Sequence, residues 1–317
     1  MKKWLISILL IMLFPVLIAC PVIFFSPELH FGMGYMSVKD HLMGKRILLE
    51  INGLYKDMDV EEYVVGIMAG TSPADYNMEA LKVQAILIRT NLLKEMEEKK
   101  TSDAKDLSYE YLTMEDRKAL WGNRYYDENE RRMEQAVSAT AGQVIYYKDE
   151  LIMALYHDVS IGKTLSAKEE LGEDIPYLQS VESSQDVEAK NYMNIIELKQ
   201  DDLKNIVAEY TEERKDENAQ EDAVKISLEE STENGYVKKV KINGIDYTGE
   251  EVMNLFGLSS VNYYIEEMDD GIRFVCLGKG HSMGVSLYGA NYMAENGATS
   301  KEIIQYYYKD IRIEKYN

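Results

Sequence analysis

The chain is short of cysteine, histidine, proline and positive charge, and each shortage removes a class of protein. Two cysteines in 317 residues, Cys20 and Cys276, exclude a disulfide-rich scaffold and a zinc site built from four thiolates. The four histidines, His30, His41, His157 and His281, are scattered and make no recognisable metal-binding motif. With five prolines there is no Pro-rich linker to divide the chain, and no internal repeat is visible. Lys and Arg number 35 against 55 Asp and Glu, a formal charge of -20 with an isoelectric point near 4.7. A surface that negative repels phosphate backbones, so no nucleic-acid partner is expected.

What remains is ordinary globular composition, 46% hydrophobic and 28% charged, with 24 tyrosines against two tryptophans. Tyrosine-rich grooves suit sugars and peptides. The N-terminus carries the one long apolar run: Lys2 and Lys3 precede an uncharged stretch from Trp4 to Phe25. At ~1.5 Å per residue a helix of that length reaches roughly 33 Å, enough to cross a bilayer. The paired lysines favour a cytoplasmic N-terminus and place the rest of the chain outside. Three readings fit the run: an uncleaved anchor, a lipoprotein signal ending at Leu17-Ile18-Ala19-Cys20, or a cleaved signal peptide. Pro21 and the apolar Val22 to Phe25 after Cys20 favour the anchor. The expected organisation is an anchor at 1–25, a juxtamembrane stalk at 26–45 and an exported domain at 46–317. Cys276 is then without a partner in the exported part and is expected to be a buried, inert thiol.

Within the exported part, Ile47 to Ile51 reads as a strand followed by an Asn52-Gly53 turn. Asp59 caps a helix from Val60 that ends near Gly70, because Pro73 blocks continuation. A longer helix is predicted from about Asn77 to Lys99. Met78, Leu81, Ala85, Ile88, Leu92 and Met96 form its apolar face, and Arg89 lies half-buried at the edge. A helix near 129–140, strands at 143–147 and 151–156, and a loop at 158–176 follow. Residues 199–234 hold a helix, a charged run around Glu212 to Asp222 and a strand from Val224 to Leu228. Further strands at 236–242 and 262–276 enclose a small helix near 249–255. A glycine-rich turn at 278–284 leads to helices near 285–296 and after the Thr299-Ser300-Lys301-Glu302 capping box. Helices and antiparallel strands interleave without regular βαβ alternation, so the fold class is α+β.

Several catalytic templates fail. Gly278-Lys279-Gly280-His281-Ser282-Met283-Gly284 lacks P-loop spacing and the βαβ setting of a dinucleotide fingerprint. Gly284-Val285-Ser286-Leu287-Tyr288-Gly289 has one residue too many after the serine for a nucleophile elbow. What the turn does offer is a set of backbone N–H groups at a helix start beside His281, Ser282, Ser286 and Tyr288. Such a nest suits an anion, a carboxylate or an N-acetyl carbonyl.

Two long runs carry a resemblance. Val60-Glu61-Glu62-Tyr63-Val64-Val65-Gly66-Ile67-Met68-Ala69, then Pro73-Ala74, Glu79 to Ala85 and Arg89-Thr90, resembles the stage II sporulation protein D family and its amidase-enhancer relatives. The run from Gly278 to Ala290, with Met293-Ala294, Gly297, Ile303-Ile304 and Tyr307-Tyr308, is similar to that family's second signature. The likeness spans about residues 45–317 in the right order.

The resemblance implies peptidoglycan as substrate and lytic transglycosylase chemistry in active members, with no cofactor. One carboxylic acid protonates the leaving glycosidic oxygen; as carboxylate it then takes the proton of the muramic 6-hydroxyl. The family's glutamate falls two residues before the Pro-Ala pair, a position held here by Thr71 in Ala69-Gly70-Thr71-Ser72-Pro73. A threonine hydroxyl is no acid near neutral pH, and losing a positioned general acid costs ~10²–10⁴-fold. Asp75 and Glu79 are the substitutes close in sequence. Arg89, His281, Ser286 and Tyr288 are expected to contact the glycan. The loop that can hold zinc in some members reads His157-Asp158-Val159-Ser160-Ile161-Gly162-Lys163-Thr164 here, leaving only His157 as a ligand, so no metal is expected. The leading expectation is a single-pass, outward-facing wall protein that binds peptidoglycan strands without normal catalysis. The alternatives are an enzyme with a displaced carboxylate, and a docking protein for other membrane-bound wall-remodelling proteins.

Overall fold

The computed structural model describes residues 43–214 and 223–316. The anchor at 1–25 with Cys20, nearly all of the 26–45 stalk, and most of the charged run before Asp222 lie outside them. Among the described residues no helix is long and apolar enough to cross a membrane.

The chain opens with a hairpin, β1 (Arg46–Ile51) and β2 (Leu54–Asp59). Its turn places Asn52 and Gly53 at φ of 52° and 78°, the left-handed pair that a two-residue hairpin loop requires. Asp59 ends β2 and caps α1 (Val60–Thr71), its carboxylate accepting from the Glu61 N–H at 2.9 Å. Asn77 does the same for α2 (Met78–Lys99). Both helices start where the sequence places them, the first at its predicted Asp59 cap.

Helix α2 is the centre of the fold. Leu81, Ala85, Ile88 and Leu92 belong to a core shared with α1 and with α3 (Met114–Ala139). Val83, Ile86 and Leu87, on the opposite side, belong to a second core. That second core also takes in α7 (Leu287–Glu295), α8 (Ser300–Tyr307) and the strand β3 (Gln143–Tyr147). Flanked by these two cores, the stretch of α2 from Val83 to Thr90 is buried without interruption. The single apolar face read from the sequence is therefore only half of the buried surface, and Arg89 has no solvent edge to occupy.

Helix α3 starts well before residue 129, at the Thr113–Asp116 capping box. It is broken at Gly122, whose φ of 68° and ψ of 157° lie where only glycine is at ease. The predicted strand at 151–156 splits into β4 (Glu150–Leu151), paired with β3, and β5 (Tyr156–His157), paired elsewhere. The loop after it carries a one-turn helix, α4 (Ala167–Glu170).

Residues 193–277 add a third core. It is built on β6 (Met193–Lys199), α5 (Gln200–Arg214), β7 (Ile226–Ser231), β8 (Val237–Ile242), β9 (Ile245–Thr248) and α6 (Gly249–Phe256). A hairpin of β10 (Tyr263–Met268) and β11 (Gly271–Leu277) completes it, with β6 alongside β11. Cys276 is fully buried there, as expected. The glycine turn then delivers β12 (Val285–Ser286), parallel to β5, and β13 (Arg312–Lys315) closes on β3. Mixed helices and small antiparallel sheets make the fold α+β.

Candidate functional site

Thr71 is the last residue of α1 and is exposed. Its hydroxyl donates to the Ile67 carbonyl at 3.0 Å, and Gln84 Nε2 donates to both Thr71 oxygens at 3.1 and 3.2 Å. Thr71 and Gln84 also hydrogen-bond the half-buried Tyr156 phenol. Thr71 is thus a fixed part of a wall, and its proton is committed to its own helix.

That wall bounds a cleft of about 520 Å³ formed by Ala69 to Asp75, Leu120, Trp121, Tyr125, Asn129, Asp158 and Lys279. A second cleft of about 490 Å³ adjoins it through the same Asp158 and Lys279, continuing past His157 and His281 to Asn194 and Ser259. Asp158 and Lys279 form an ion pair at 2.6 Å between the two. Their backbones are locked together: Lys279 N donates to the Val159 carbonyl at 2.7 Å, and Val159 N donates back at 3.1 Å. Gly280 allows this approach, since a Cβ there would press on His157. The parallel pairing of β12 with β5 thus brings the glycine turn against the segment after His157.

The residues expected from the sequence fall into two groups. Thr71 and Asp75 line the first cleft, and His281 lines the second. Tyr288 sits beside them, half-buried, its N–H donating to the Asp158 carbonyl at 3.0 Å. Glu79 lies outside both clefts. Lys82 Nζ holds it at 2.5 Å and the Ser300 N–H at 2.8 Å. Partial burial raises its pKa, but these hydrogen bonds outweigh that and keep it below the ordinary value. Such a carboxylate is a poor proton donor.

Two expected contact residues belong to the interior instead. Arg89 is 0% exposed; its Nη2 meets Glu61 at 2.6 Å and its Nη1 donates to the Gln143 carbonyl at 3.1 Å. Enclosure between two cores leaves it no atom to offer a sugar. Ser286 is likewise fully buried, capping α7 through the Gly289 N–H at 3.1 Å and bonding buried Asp186. Its position at the helix start, which suggested a ligand nest, serves the helix.

His157 is buried, and its Nδ1–H donates to the Met283 carbonyl at 3.0 Å. Its Nε2 is enclosed with no hydrogen-bond partner among the described residues, and the His281 ring lies 5.8 Å away, centre to centre. Burial, with His281 nearby, depresses the His157 pKa to about 3, against the pull of the Met283 hydrogen bond. Among the described residues no three His, Cys, Asp or Glu side chains come together as a metal-binding group.

Sequence reasoning missed the Asp158–Lys279 pair and the Leu120–Tyr125 segment. The pair is separated by over a hundred residues, and no local signal joins it. The Gly122 break was the available sign of the other.

A family model described as stage II sporulation protein matches residues 52–147, which include α1, the Thr71 wall and α3. Over 272 residues the chain is 29% identical to stage II sporulation protein D of Bacillus subtilis, covering 83% of this chain and 77% of that protein. The Bacillus amyloliquefaciens protein of the same name matches at 29% over 83% of this chain and 76% of its own length. The amidase enhancer of Bacillus subtilis is 22% identical over 79% of this chain and 40% of its own length.

Proposed function

Because the chain belongs to the family of stage II sporulation protein D and the amidase enhancer, we propose that it is a wall-remodelling protein that binds peptidoglycan glycan strands in the Thr71 cleft without normal transglycosylase activity. The observation that carries this reading is the state of Thr71 itself. It stands at the end of α1 on the wall of an open cleft, at the position that matches the family's glutamate, with its proton given to Ile67. In this reading the cleft serves binding, and the position that would supply the acid holds a hydroxyl instead. In this reading the run from Trp4 to Phe25 holds the chain in the cell membrane with residues 46–317 outside. Other membrane-bound wall proteins are its partners.

The test uses the detergent-solubilised full chain with purified sacculi, read by co-sedimentation and by mass spectrometry of released products, beside Thr71→Glu. The unaltered chain is expected to sediment with sacculi and release nothing. Thr71→Glu is expected to release 1,6-anhydro-ended muropeptides. Failure of the unaltered chain to sediment overturns the reading.

A second reading is favoured by Asp75 and Asp158, carboxylates that line the same cleft as Thr71. If the unaltered chain releases anhydro-muropeptides and Asp75→Asn or Asp158→Asn stops it, the chain is an enzyme with a displaced acid. Glu79 drops out of that reading, since it faces neither cleft.

A further inference from the structure

Leu120 is 57% and Tyr125 50% exposed, and both line the cleft beside Thr71. Large apolar side chains held open at a cleft are not explained by the core they leave. Trp121, between them, lines the same cleft and packs its inner side on the first core. The geometry points to Leu120, Trp121 and Tyr125 as a stacking subsite for the ring face of an uncharged N-acetylated hexosamine.

The subsite rests on the glycan-binding reading, and four features support it. The first is pre-organisation. The two halves of α3 meet at Gly122, and Arg117 on one half grips Glu130 on the other through two bonds of 2.7 and 2.8 Å. Arg117 also donates to the Leu112 carbonyl at 2.6 Å. That brace is nearly dry, so the corner carrying Trp121 is fixed before any ligand arrives. The second feature is attachment: Arg132 Nε donates to the Ala74 carbonyl at 2.8 Å, tying the second half of α3 to the loop after Thr71. The aromatic corner is therefore tied to the loop that continues the Thr71 wall.

The third feature is chemistry. A pyranose ring presents axial C–H groups on its face and hydroxyls around its rim. An indole and a phenol take the face, and Asn129, Asp75, Asp158 and Lys279 at the same cleft are partners for the rim. The fourth is charge. Two carboxylates against one ammonium disfavour the phosphate of an anionic wall polymer and leave a neutral sugar as the suited occupant.

Trp121 reports on its own cleft, because Trp4 is the only other tryptophan. The experiment takes the full chain carrying Trp4→Phe in detergent and titrates it with the β-1,4-linked N-acetylglucosamine tetramer. Trp121 emission is expected to move to shorter wavelength as a sugar ring covers the indole. Tyr125→Ala, at an exposed position that does not endanger the fold, is expected to weaken the titration roughly tenfold, the equivalent of one lost ring contact. Gly122→Ala, which strains the corner without touching the cleft, is expected to weaken it as well. Unchanged emission, with sacculus binding retained in every variant, overturns the subsite and leaves the glycan reading standing. No sacculus binding by the unaltered chain removes both. An emission shift with polyphosphate in place of the sugar overturns the assigned ligand class.

Discussion

Arg89 and Glu61 form an ion pair with no solvent exposure on either side chain, Nη2 to Oε2 at 2.6 Å and Nε to Oε1 at 2.9 Å. Glu61 Oε1 also accepts the Gly142 N–H at 2.7 Å, and Arg89 reaches the Gln143 carbonyl. One pair thus ties α1 and α2 to the turn that starts β3. Two charges taken out of water need this full set of partners, because an uncompensated buried charge is expensive. Glu61→Gln or Arg89→Met is expected to cost about 3–5 kcal/mol, read as a fall in the urea unfolding midpoint. Arg89→Lys keeps the charge but loses the fork, and is expected to be destabilising too. Its folded fraction should bind sacculi as the unaltered chain does. Lost binding by folded Arg89→Lys would return the residue to the cleft.

Glu79 offers a second separation of structure from chemistry. It bridges α2 to the first residue of α8 through the Ser300 N–H, and its charge is partnered by Lys82. Glu79→Gln is expected to leave the products and the sacculus binding of Thr71→Glu unchanged, with a modest drop in melting temperature. A loss of released muropeptides in that background, with the fold intact, would give Glu79 a chemical role.

The two readings of Arg89 illustrate how far sequence carries. Helix starts at Asp59, Asn77 and Thr299 were legible, because a capping side chain and its first turn are local chemistry. The α+β class followed from patterns of similar range. Burial around α2 was not, because the second face, Val83, Ile86 and Leu87, is covered by α7 and α8, two hundred residues later. The same distance hid the Asp158–Lys279 pair. Thr71 and Asp75 were placed at the cleft by the motif alone, while Trp121 and Tyr125 arrive there through a glycine break whose geometry no periodicity encodes.

Gly284 is where the second motif is tightest. Its φ is +71°, and a Cβ would press on the Leu155 carbonyl and the Tyr308 hydroxyl, which themselves hydrogen-bond each other. The backbone there has nowhere to retreat, since the Val285 N–H donates to the same Leu155 carbonyl at 3.0 Å. Gly284→Ala combines a left-handed backbone with a backbone clash and is expected to lose at least ~2 kcal/mol. The loss should appear in thermal unfolding together with weakened sacculus binding, because β12 carries the turn that places Lys279 and His281. Full stability of the variant would mean that the β5–β12 contact is looser than described.

The depressed pKa of His157 sets a pH dependence with a definite sign. In the unfolded chain the imidazole takes a proton near pH 6.5, whereas in the folded chain burial holds this back to about pH 3. Between those values the unfolded state binds more protons, so stability rises with pH. The contribution of His157 is complete above pH 6.5 and is lost as pH falls toward 3, at about 1.4 kcal/mol per unit. His157→Asn keeps an N–H for the Met283 carbonyl but cannot titrate. Between pH 7 and 4.5 the unaltered chain is expected to lose about 2–3 kcal/mol more than this variant, measured by urea unfolding at each pH. Subtracting the variant removes the carboxylates, which titrate in both proteins. Parallel stability curves would mean that water reaches the His157 ring and that the two clefts connect behind the Asp158–Lys279 pair.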